Sequence, residues 1–152
     1  MAPSEELRHR ETEEQRRPEP RKTERFLEEL YPHQELTEPI IAADIAVHTE
    51  LGPGYLEQIY ENAMRIELEK RDHKVDRQAS FHVTYQGHLV GRHRLDLLVD
   101  DMVVLELKSV DALVSTHAAQ LRSTLKAAGK RVGLPLKFNQ KRLKDGLRRV
   151  IN

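Results

Sequence analysis

Cysteine is absent from the 152 residues. That excludes disulfides, thiolate metal sites and cysteine nucleophiles. An excess of either charge is absent too, since 25 Lys and Arg balance 25 Asp and Glu. A neutral total neither supports nor excludes a nucleic-acid partner, because a local basic face can exist within it. No apolar run is long enough to span a bilayer, and the N-terminus lacks the apolar core of a signal peptide. A cytoplasmic protein with no membrane partner is the expectation. No GxxxxGK loop occurs, which disfavours nucleotide-driven chemistry. The chain also has no zinc finger, no clear helix-turn-helix and no cluster of basic residues. Sequence-specific recognition would then come from a protein partner or a homodimer.

The length fits one domain with a real core. The stretch around which it is organised runs from Arg94 to Lys108. It reads as two apolar strands joined by an acidic turn at Asp100-Asp101. Asp96 lies in the first strand, and Glu106 and Lys108 lie in the second. Side chains alternate along a strand, so Glu106 and Lys108 share a face. A hairpin folds Asp96 back beside them. Burying such charges is costly unless they are paired or bind metal. A salt bridge at a sheet edge is the plainer account. Apolar residues flanking every charge favour a functional one.

The remaining chain reads as a charged, disordered tail over residues 1–36 and a domain over 37–152. Charges alternate through the tail until Pro18 and Pro20, and Phe26, Leu27, Leu30 and Tyr31 have the helical spacing to dock on the domain. Thr37 is the expected N-cap of a helix with Pro39 in its first turn. Ile41, Ile45 and His48 share a face of that helix, and Gly52-Pro53-Gly54 stops it. A second helix, about Tyr55 to Arg71, presents Leu56, Ile59, Tyr60, Ala63, Ile66 and Leu68 as its apolar side. Glu57 in its first turn suits the helix dipole.

Strands follow. Val75 to Ala79 is a short edge candidate; Phe81, Val83 and Tyr85 alternate as a half-buried strand. Gln86-Gly87 turns the chain, and His88 to Val99 returns as one long strand interrupted at Gly91. After Met102 to Lys108 comes a helix from about Ser115 to Ala128. Ala118, Leu121, Leu125 and Ala128 form its buried side, with His117, Gln120 and Thr124 on the next stripe. Val132 to Phe138 is a further strand, in which Pro135 implies an edge or a distortion. The end of the chain is a last strand or a short helix. The order gives an α/β fold, a mixed sheet flanked by helices. His48 and His117 read as packed or hydrogen-bonding residues rather than ligands. His82, His88 and His93 lack ligand spacing and read as surface. Arg92 and Arg94 are placed to contact phosphate or to pair with a carboxylate.

Gly54-Tyr55-Leu56-Glu57-Gln58-Ile59-Tyr60 resembles the signature of the GxxExxY proteins. The blocks Arg94 to Val99, Val104 to Lys108 and His117 to Leu121 resemble that family's other motifs, and the resemblance covers Ile40 to Phe138. These proteins are placed in the PD-(D/E)XK nuclease-like superfamily, with a restriction-endonuclease-like core. Leu95 stands where the superfamily's name has proline, and Lys137 precedes Phe138 where similar proteins show asparagine. By position, the resemblance implies that Asp96, Glu106 and Lys108 form the catalytic motif. It also implies Glu57 as an extra acidic residue and Gln120 as a polar residue on the following helix. The implied function is metal-dependent phosphodiester hydrolysis of DNA or RNA. Mg²⁺ or Mn²⁺ would take Asp96, Glu106, the Leu107 carbonyl and Glu57 as ligands. Lys108 would position the attacking water or neutralise phosphate charge, and Gln120 would orient Lys108 or a substrate oxygen. The alternative is a non-catalytic domain of the same fold that binds nucleic acid or a protein. A hydrolase for another phosphate ester ranks third.

Overall fold

A computed structural model describes residues 21–108, 115–138 and 149–152. The first twenty residues of the expected tail, the connection at 111–113 and the segment 143–148 lie outside them. Three helices come first: α1 over Lys22–Leu30, α2 over Gln34–Leu51 and α3 over Glu57–Lys70. The strands are β1 Val75–Arg77, β2 Ser80–Tyr85, β3 His88–Arg94, β4 Leu97–Val99, β5 Val103–Lys108, β6 Val132–Lys137 and β7 Val150–Ile151. Helix α4, Ser115–Ala128, connects β5 to β6. One sheet has the order β1-β4-β5-β6-β7, and β2 and β3 form a separate ribbon. The β5–β6 pair is parallel and the other pairs are antiparallel. This is the expected α/β fold, a mixed sheet flanked by helices. None of the helices among the described residues is long and apolar enough to cross a membrane.

Several expected details differ. Helix α2 begins at Gln34, with His33 in the left-handed region before it, so Thr37 is inside the helix rather than its cap. The Thr37 hydroxyl donates to the Gln34 carbonyl and meets the Arg149 guanidinium. The buried stripe of α2 is Leu36, Ile40, Ala43 and Val47, while Ile45 is exposed. Two stripes one residue apart fit a helical period, and the one that touches the sheet was not the one richest in isoleucine. On α3 the buried residues are Tyr60, Glu61, Met64 and Leu68; Leu56, Ile59 and Ile66 face solvent. Phe26, Leu27, Leu30 and Tyr31 are exposed on and beside α1 rather than docked.

The long strand expected from His88 to Val99 breaks at Leu95-Asp96, and the interruption expected at Gly91 is a register irregularity within β3, where Gly91 pairs with Val83 and Leu89 with Thr84. Before the break the chain belongs to the ribbon, and after it to the main sheet. The antiparallel pairing continues through the gap, since Leu95 N–H donates to Ala79 and Gln78 N–H donates to Asp96. Along β2 only Phe81 is half-buried, so the strand expected to alternate is exposed instead. The core has two parts. Helices α2 and α3 cover one face of the main sheet, meeting Leu97, Val99, Leu105, Leu107, Leu134 and Leu136. Helix α4 covers the other with Leu121 and Leu125 against Leu95, Leu98, Val104 and Val150. Pro135 lies where β7, paired only with Val132 and Gly133, no longer flanks β6.

Gly133 is buried under α4, where an added Cβ would lie 2.9 Å from the Leu121 side chain. Leu121 is itself fully buried and cannot swing into solvent. Gly133→Ala is therefore expected to destabilise the fold by about 1–3 kcal/mol, the usual range for overpacking. Chemical denaturation checks this, and shortening Leu121 in the same chain should recover part of the loss.

Candidate active site

The β4–β5 hairpin turns through Asp100 and Asp101, both with positive φ (51° and 58°). That conformation suits the right-handed twist of a hairpin, and Asp tolerates it better than most side chains. The turn is held from outside. Asp100 accepts from the Lys74 N–H at 2.8 Å and meets His73 Nδ1 at 2.7 Å. Lys130 Nζ donates to the Asp101 carbonyl at 2.8 Å. With Leu97 opposite Leu105 and Val99 opposite Val103, the hairpin register is fixed.

Asp96 sits at the bend just before β4, rather than within a strand. There the Leu107 N–H donates to its Oδ2 at 2.9 Å. The side chain thus takes the partner that the interrupted strand gives up. In an extended strand the N–H and C=O of one residue point to the same side, so the Leu107 carbonyl faces the same gap. The Leu107 side chain points the other way, into the core under α2 and α3. Glu106 and Lys108 lie on the opposite face, half-buried beneath α4.

These groups line one cleft of about 630 Å³. Asp96, Glu106 and Lys108 supply its floor, and Gln120, Ser123 and Thr124 of α4 supply one wall. Val83, His93 and Arg94 of the ribbon supply another. Burial pushes the Asp96 carboxyl above its ordinary range; the Leu107 N–H opposes that, and the Glu61 charge adds to it. Lys108 and Glu57 contribute smaller effects of opposite sign. Burial also pushes Glu106 up, against the pull of Lys108, with the charge of Asp96 raising it further. Two acids in one cleft thus resist ionising together, and a cation would relieve both.

Glu57, the first residue of α3, is exposed and does not line the cleft, although its charge is felt at Asp96. Its position is fixed by the Gly-rich loop before it. The Tyr60 hydroxyl donates to the Gly52 carbonyl at 2.5 Å and accepts from the Tyr55 N–H at 3.2 Å. The Tyr60 ring stacks on Phe138 with centroids 4.2 Å apart, and Phe138 N–H donates to the Lys108 carbonyl. The tyrosine of the Gly-x-x-Glu-x-x-Tyr block therefore ties the start of α3, where Glu57 sits, to the end of β5.

Two residues near the site escaped the sequence reading. Glu61 is buried and accepts from Arg77 Nε at 3.1 Å and from Gln78 Nε2 at 3.0 Å. Its effect on Asp96 exceeds that of Glu57. His93, expected on the surface, is half-buried in the cleft wall, and its Nε2 lies 2.8 Å from Thr124 Oγ1. A sequence signal existed for His93: it is two residues from Leu95 and so on that residue's face. Glu61 gave none, because an acid on a charged helix looks solvated. His48 lies against Phe138, 6.3 Å between ring centroids, and does not line the cleft. His117 is half-buried on α4 and helps to lower the Glu106 pKa.

A family model described as the PD-(D/E)XK nuclease superfamily matches residues 34–150. This chain belongs to that superfamily. No curated protein and no solved structure matches it significantly. The PD-(D/E)XK nucleases generally use divalent metals, so the donor set can be tested against one. Among the described residues, no group of three or more His, Cys, Asp or Glu side chains is gathered to hold a metal. Two carboxylates, Asp96 and Glu106, line one cleft, and the Leu107 backbone adjoins Asp96 through its N–H. That set fits a hard cation such as Mg²⁺, which takes one or two carboxylates and keeps several waters.

Proposed function

We propose that this PD-(D/E)XK domain is a GxxExxY-type nuclease that hydrolyses phosphodiester bonds of DNA or RNA with Mg²⁺ or Mn²⁺. The observation that carries this reading is the single cleft shared by Asp96, Glu106 and Lys108. Asp96, Glu106 and the Leu107 carbonyl would hold the cation. When bound, such a cation supplies positive charge against the phosphate and makes water more acidic. Leu107 N–H keeps the Asp96 carboxylate oriented, which preserves the ligand geometry between turnovers. Lys108 places an ammonium on the floor of the cleft, where it neutralises phosphate charge and orients water. Gln120, on the opposing wall, orients a phosphate oxygen or the Lys108 ammonium. Glu57 acts through its field from the rim of the site.

The second reading is a non-catalytic domain that binds nucleic acid or a protein. It is favoured by the absence of a third acidic ligand among the described residues. Calorimetric titration of Mg²⁺ and Mn²⁺ into wild type and Glu106→Ala separates the two. It is run beside cleavage assays on single- and double-stranded DNA and RNA. Cation binding and cleavage, both lost in Glu106→Ala, are the expected result. A wild type that binds no cation would sink the nuclease reading.

A further inference from the structure

The chain has no run of basic residues, yet one element of the fold lacks acidic residues altogether and so carries a net positive charge. From Gln78 to Leu95 there is not a single Asp or Glu, although the whole chain holds 25. The same stretch contains Arg92, Arg94, His82, His88 and His93. It forms the β2–β3 ribbon, which stands outside the main sheet. The base of the ribbon is anchored. Phe81 packs beside Leu95, Leu98 and Leu125, and His93 meets Thr124 of α4. Beyond the base both strands are exposed.

Cross-strand partners share a face. Ser80 opposes Arg94 and His82 opposes Arg92, so one face carries two guanidinium groups and an imidazole. Among the described residues, neither arginine is in an ion pair. At the tip, Tyr85 and Val90 are 65% and 60% exposed, with Leu89 beside them. An irregularity after Val83 adds local twist to the tip. Isolated two-stranded ribbons with bare edges and exposed apolar residues invite a partner. The lack of any carboxylate selects a polyanion over a peptide.

We propose that the β2–β3 ribbon is a docking arm for duplex DNA, lying in the major groove with Arg92 and His82 against phosphates. The proposal rests on the nuclease reading of the adjacent cleft, and gives that cleft its substrate class. Two features support a DNA duplex. The major groove of B-form DNA is about 12 Å wide and admits a two-stranded ribbon, whereas the A-form groove of RNA is too narrow. The arm also shares Val83, His93 and Arg94 with the cleft wall, so a strand held along it crosses the mouth above Asp96 and Glu106. Tyr85 and Val90 then meet base edges or sugars instead of water.

The test is fluorescence anisotropy of the full chain with a labelled 24-base-pair DNA duplex, in EDTA so that binding is read without cleavage. Arg92→Glu is expected to weaken binding tenfold or more at 100 mM salt and to reduce the salt slope by about one or more. Tyr85→Ala should weaken binding with the salt slope unchanged. Circular dichroism of each variant verifies the fold. Wild-type affinity in Arg92→Glu overturns the arm and leaves the nuclease reading standing. Tight binding of wild type to the duplex, without cleavage when Mg²⁺ or Mn²⁺ replaces EDTA, supports the arm and sinks the nuclease reading. Equal or tighter binding to an RNA duplex of the same sequence, or no binding to either duplex, also overturns the proposal.

Discussion

Lys108→Met is expected to slow phosphodiester cleavage by about a thousandfold, with divalent-cation affinity within a few-fold of wild type. The expected loss follows from what the ammonium does and from what it leaves behind. Lys108 shares the cleft with Asp96 and Glu106 and lowers the pKa of both. Methionine fills the same volume without charge, so packing beneath α4 is kept. A residue that orients water or neutralises developing charge contributes about 10²–10⁴ in rate, or roughly 3–5 kcal/mol. The two carboxylates remain in place, so cation binding survives. Glu106→Gln behaves in the opposite way and loses both. Single-turnover cleavage beside calorimetry distinguishes them. A Lys108→Met protein that cleaves at the wild-type rate removes Lys108 from the chemistry.

The second large effect lies away from the cleft. Asp44 is 1% exposed on α2, and neither carboxyl oxygen has a hydrogen-bond partner. One turn on, the Nδ1 of His48 is also buried without a partner. Burial pushes the Asp44 pKa up from 3.8 to about 7. Between those two pH values the folded chain holds a proton that the unfolded chain has lost. The slope of stability with pH is then negative, so this contribution is fully present below about 3.8 and lost as pH rises through about 7. The whole effect is on the order of 4 kcal/mol. Asp44→Asn has the same shape and cannot ionise. It should match wild type near pH 4 and exceed it at pH 8 by up to that amount. Urea denaturation of both proteins across this range measures the gap. A gap that does not widen with pH would show that the Asp44 carboxylate is not strained by its surroundings.

Much of the fold was readable because its signals were local. The Ser115–Ala128 helix follows from apolar residues at helical spacing and a glycine just beyond. The acidic hairpin follows from two apolar runs around a two-residue turn. The break at Asp96 was not readable, since Leu-Asp-Leu fits a continuous strand equally well. Only the third dimension shows that its carboxylate replaces a ladder partner of Leu107. The inward face of α2 was missed for a related reason. Asp44 and Ala43 look outward by polarity and size, and the neighbouring stripe holds Ile41 and Ile45. Burial there is decided by contact with the sheet. Glu61 stayed hidden because its partners, Arg77 and Gln78, lie sixteen and seventeen residues away.

The bend at Asp96 has a consequence for how the molecule comes together. Asp96 and Glu106 are brought close by a short hairpin, which can form early and while still wet. Both acids then ionise freely, and nothing opposes them. Only when α4 swings over the sheet does that pair become dehydrated. The energetic penalty of the two acids is thus confined to one late seam, between the crossover helix and the strand beneath it. Gln120, Ser123 and Thr124 on that same seam also wall the cleft above the two acids, so the dehydration of the pair and the shape of the cleft are set in one step.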